Sequence, residues 1–88
     1  MNNKIILAAL AMDLKRVALG NHRNSLSMAE RFYLEAMKRR HELNEKDLSP
    51  YIKKILEHLD QLPRRDRERR GEDALMYSTL IQNYVLYK

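Results

Sequence analysis

Between positions 64 and 70 the chain sets five arginines, Arg64, Arg65, Arg67, Arg69 and Arg70, against one aspartate, Asp66, and one glutamate, Glu68. A guanidinium is planar and grips phosphate or carboxylate oxygens two at a time, so such a cluster suits a nucleic-acid backbone or an acidic protein face. Lys38, Arg39 and Arg40, with Lys53 and Lys54, would enlarge the patch if the helices that carry them turn the same way. A plainer pattern competes. Arg64 with Glu68, Asp66 with Arg70, and Arg69 with Asp73 all stand four apart, the spacing by which a solvated helix laces its own surface. The laced helix is the simpler account and anion binding the alternative. Base-specific DNA reading is not expected, because no short glycine turn joins two helices and no aromatic-rich strand offers a stacking platform.

Other chemistries find little footing. His22, His41 and His58 are the only imidazoles, and none stands four from another or in a Glu-x-x-His pair that would aim two ligands from one helix face. The chain has no cysteine, which removes disulfides, thiolate metal sites and thiol nucleophiles together. Gly20 and Gly71 are isolated, so no glycine-rich phosphate loop exists, and no serine or threonine sits in a nucleophile elbow. Most carboxylates have a basic residue three or four positions away, as on an ordinary solvated helix. The expectation is a protein that is not an enzyme, with no catalytic residue, cofactor or metal. Tyr77, Tyr84 and Tyr87 fall at helical spacing and read as packing residues with their hydroxyls at a wet rim.

The elements that must position these residues are helices. At 88 residues, with a net charge of +5 and 44% apolar content, the chain matches one small folded domain. Two glycines and two prolines are too few turn signals for a many-stranded β protein. Periodicity predicts helices over about 3–19, 27–43, 49–62 and 66–87, packed as a compact all-α, four-helix bundle-like domain. The first should stop at Gly20-Asn21, a pair that tolerates the left-handed conformation of a C-cap. Ser27-Met28-Ala29-Glu30 matches a capping box for the second, and Ser49-Pro50 opens the third. Arg31 with Glu35, Glu35 with Arg39, and Lys38 with Glu42 should pair on the second helix's outer side. Gly71 leaves the start of the fourth open, since a helix through it loses about 1 kcal/mol relative to alanine.

The N-terminal run from Ile5 to Met12 resembles a leader peptide in outline, but Leu7, Leu10, Leu14 and Val17 keep a 3-4-3 spacing through the supposed cleavage box. It reads as the first helix of the fold, too short to span a membrane.

The first and fourth helices carry more apolar residues than one buried stripe uses. Ile5, Met12 and Leu19 lie nearly opposite the first helix's main stripe, and Leu75, Met76, Leu86 and Tyr87 lie off that of the fourth. Their burial in a homodimer is the expectation. The functional reading is a non-catalytic interaction module, cytoplasmic, with a protein partner favoured over nucleic acid.

Overall fold

The computed structural model describes residues 2–87, and they form four helices with no strand among them. They are α1 (Asn3–His22), α2 (Leu26–Glu42), α3 (Pro50–Asp60) and α4 (Arg67–Tyr87), with 3-10 turns at Glu45–Asp47 and Leu62–Arg64. The radius of gyration is 12.1 Å, against about 12 Å for a compact chain of this length.

The end of α1 and the start of α2 differ from the sequence reading. α1 runs through Gly20 and Asn21 to His22, and the left-handed residue is Asn24, with φ 57°. Two bonds close a Schellman turn there: the Ser25 amide donates to the Gly20 carbonyl at 2.8 Å and the Asn24 amide to that of Asn21 at 3.1 Å. Gly20 is small for another reason. A Cβ on it would stand 2.8 Å from the Ala29 amide nitrogen of α2, so the glycine lets the two backbones meet. α2 starts at Leu26, with Ser25 at its cap position, and Ser27 lies inside the first turn rather than capping it. α4 starts at Arg67 and includes Gly71, which faces Asn21. The start of α3 is as expected, with Ser49 Oγ accepting from the Ile52 amide at 3.3 Å and Pro50 in the first turn.

α1 lies between α2 and α4 and is antiparallel to both. Asn3 Nδ2 donates to the Asn44 carbonyl and the Asn44 amide to Asn3 Oδ1, both at 2.9 Å, which ties the start of α1 to the end of α2. On the other side Asn21 Nδ2 donates to the Arg67 carbonyl at 2.8 Å, and buried Ser78 donates its hydroxyl to the Ala11 carbonyl at 2.6 Å. The expected stripes are buried: Leu7, Leu10 and Leu14 of α1 meet Ile52, Leu56 and Leu59 of α3 and Ile81 of α4 in one core. Val17, Ala29, Leu62 and Ala74 form a smaller one beside it. Tyr33 donates to the Leu59 carbonyl at 3.0 Å, holding α2 to the end of α3; burial, and then the Asp60 charge, raise its pKa.

Candidate interaction surfaces

Of the basic residues of α2 named for a patch, Arg39 and Arg40 are held by carboxylates of other elements. Arg40 grips Asp60 with two bonds, at 2.9 and 3.1 Å, and Glu45 at 3.1 Å. Burial pushes its pKa down, but the hydrogen bonds and charges of these two carboxylates outweigh that and raise it. Arg39 Nε reaches Asp13 at 3.3 Å, and exposed Lys38 pairs with Glu35 at 3.5 Å. On α2 the three expected four-apart pairs are therefore replaced: Glu35 pairs with Lys38, while Arg39 and Arg40 reach across to other elements. Asp13 offsets the charge of Arg39 locally, and Asp60 and Glu45 offset that of Arg40.

Within that run the four-apart pairs of the sequence reading do not form either. Arg64 and Arg65 precede α4, so helical spacing does not apply to them. Arg65 is extended, with ψ 158°, and spans the first turns to reach Asp73 at 2.9 Å. Arg69 stands 3.8 Å from Asp66, and Arg70 Nε donates to the Arg65 carbonyl at 3.1 Å. Arg64 and Arg67 are exposed and make no ion pair among the described residues.

The apolar residues set aside for an interface are all in solvent, from 39% exposed at Leu19 to 80% at Tyr87. The structure brings them together in two groups. Ile5, Met12 and Leu19 run along the outer side of α1, and Leu19 shares with Leu75 of α4 a shallow groove of about 510 Å³ that also includes Ala18 and Gly71. Leu86 is three turns on from Leu75 on the same side of α4. Lys15, Glu68 and Glu72 interrupt this α1/α4 face. Met76 and Tyr87 lie round the helix toward α3, where Tyr87, Tyr84 and Tyr51 line a separate shallow depression. The Tyr51 and Tyr84 rings stand 6.1 Å apart. Tyr77 stacks on His58 at 5.9 Å, and desolvation, with Asp73 adding to it and Arg65 opposing it, raises its pKa. His22 and His41 are exposed.

Two features were not legible beforehand. Asp13 is 4% exposed, held by Arg39 and, at 3.5 Å, by Arg16 of its own helix. Arg16 and Arg31 also stand over the Phe32 ring, at 5.5 and 5.6 Å. The second is a groove of about 260 Å³ between α1, α2 and the turn before α4, whose apolar lining includes Val17, Leu26, Ala29, Leu34, Leu62 and Pro63. A signal of it in the sequence is Leu34, which follows Phe32 and Tyr33 but lies off the buried stripe of α2.

Among the described residues no group of three or more histidine, aspartate or glutamate side chains is placed to hold a metal ion, and no helix is long and apolar enough to cross a membrane. No family model matches the chain, and comparisons with curated proteins and with solved structures find no match.

Proposed function

We propose that the chain is a non-catalytic interaction module that pairs with a second copy through the α1/α4 face and presents its remaining helical surface to a partner protein. The observation that carries this is the exposure of Ile5, Met12, Leu19, Leu75 and Leu86 on neighbouring sides of two packed helices. A small domain leaves a large share of its surface uncovered, so joining two such faces removes apolar area from water at about 25 cal/mol per Å² before association costs are subtracted. The interrupting charges, Lys15 against Glu68 and Glu72, are of opposite sign, which suits a two-fold contact in which each face meets its own copy. The lack of cysteine suits a reducing compartment such as the cytoplasm. Light scattering at micromolar concentration tests the pairing: a species of two-chain mass is expected, and a monodisperse single-chain mass overturns it.

Nucleic-acid binding is the second reading, favoured by the exposed Arg64 and Arg67. Phosphate contacts give an affinity that falls steeply with salt and is indifferent to base sequence. If this reading holds, replacing Arg64 and Arg67 with alanine flattens the salt dependence, and a chain that retains no RNA or DNA at low salt excludes it.

A further inference from the structure

We infer that the second copy on the α1/α4 face is related to the first by a two-fold axis running along the groove, so that α1 of each chain lies against α4 of the other and Lys15 meets the partner's Glu72. The inference rests on the pairing proposed above and adds its geometry and the charges that select a second copy as the occupant.

Charge on this face is sorted by helix. The one carboxylate of α1, Asp13, is buried on the side toward α2 and held there by Arg39. Beside α4, the α1 edge of the groove carries Lys15 and His22, both exposed. Lys4, also exposed, stands three turns before Lys15 on the same line of the helix. α4 is the reverse. From Glu72 to Tyr87 it contains no lysine or arginine, and Glu68 and Glu72 are exposed along its edge of the groove. Lys15 makes no ion pair with either glutamate among the described residues. A face with a basic edge and an acidic edge side by side is complementary to itself when turned about the line between them. A two-fold axis across the helices would instead set α1 on α1 and α4 on α4, like charge on like.

The heights agree with the charges. α1 and α4 are antiparallel, tied by the bonds from Asn21 to Arg67 and from Ser78 to Ala11. Rotation about an axis parallel to them leaves every height unchanged. Ile5 then faces the partner's Leu86 and Met12 the partner's Leu75, while Lys15 faces the partner's Glu72 and His22 the partner's Glu68. Each of these pairs is level to within one helical turn. Ala8 and Thr79, exposed and small, keep the middle of the face free of bulk. The two helices are each about 30 Å long and packed helices stand about 8–10 Å apart, so the face covers roughly 600 Å² per copy. That is the low end for a specific pair, where like charge along both edges decides against association.

The test uses the intact chain, which has no cysteine of its own. Met12→Cys and Leu75→Cys, mixed under mild oxidation, should give a disulfide-linked pair on a non-reducing gel, and neither should crosslink alone. A disulfide needs Cα atoms within about 7 Å, which facing helices allow, whereas the two copies of α1 stand on a diagonal beyond that reach. Charge reversal reads the same geometry. Lys15→Glu and Glu72→Lys should each raise the dissociation constant by about tenfold or more, because both edges then set like charge against like. Mixed in equal amounts, the two variants should pair with each other as tightly as the parent chain pairs with itself, since both edges are complementary again. Circular dichroism checks that the variants stay folded, which the exposure of Lys15 and Glu72 favours. The inference is overturned if Met12→Cys crosslinks alone, if the mixed cysteine variants do not crosslink, or if the mixed charge variants remain single chains. In those cases a two-chain mass for the parent keeps the pairing itself. A single-chain mass for the parent overturns the pairing and the inference together.

Discussion

Gly20 and Gly71 both lie inside helices, yet the space in front of them differs. A Cβ at Gly20 would meet the backbone nitrogen of Ala29 at 2.8 Å, and α2 cannot yield there without moving as a whole. At Gly71 the nearest atom is Asn21 Nδ2, at 2.7 Å, the end of a side chain that can swing aside. Gly20→Ala is expected to destabilise by about 1–3 kcal/mol through overpacking. Gly71→Ala gains helix propensity, about 1 kcal/mol, and loses the bond from Asn21 to the Arg67 carbonyl, worth about 0.5–1.5 kcal/mol. Urea titration should therefore find it close to the parent chain, and equal losses in the two variants would refute this account. Asp13 poses a similar asymmetry. Its side chain is 6% exposed, whereas those of Arg39 and Arg16 are 40% and 47% exposed. Arg39→Ala leaves a buried carboxylate with one partner and should lose about 1–3 kcal/mol. Asp13→Ala instead returns two half-exposed guanidinium groups to water. The double variant should thus be more stable than Arg39→Ala alone, and a double-mutant cycle with no such recovery would show that the pair is incidental.

At the scale of helices, ends are decided by which residue reaches a free amide. Ser49 caps α3 through its hydroxyl, so Ser49→Ala should lose about 1 kcal/mol. Ser27, which looks equally suitable in the sequence, lies past the start of α2 and caps nothing. Ser27→Ala should be neutral or slightly stabilising, since alanine is the better helix former. Equal losses for the two serines would mean that α2 begins at Ser27 after all. The Schellman turn at Asn24 explains why the capping box goes unused: once α1 continues to His22, the turn consumes Arg23 to Ser25 and delivers the chain into a helix at Leu26.

For the whole molecule, the question is what covers the α1/α4 face. Leu86→Glu and Met12→Lys place a charge where apolar surface would be buried between two copies, and each should shift the assembly toward a single-chain mass. Because Leu86 and Met12 are 63% and 48% exposed within the chain, both variants should keep their helical signal and their unfolding midpoint at low concentration. Unfolding of either would contradict their exposure, and an unchanged two-chain mass would move the seam elsewhere.

Fold class was legible in the residues because helical burial repeats every three to four positions: Leu7, Leu10, Leu14 and Val17 of α1, and Ile52, Ile55, Leu56 and Leu59 of α3, are buried as their spacing requires. The surplus on α1 and α4 was legible for the same reason. Partners distant in sequence were not. That Arg39 turns to Asp13 and Arg40 to Asp60 depends on how α1 and α3 lie against α2, a matter of packing and not of spacing along one helix. Gly20 read as a stop because a lone glycine near the end of a helix usually is one; only the approach of Ala29 gives it another purpose. The groove edged by Leu34 is likewise tertiary in origin. Its floor comes from α1, α2 and the turn at Pro63 together, and no single stretch of sequence contains it.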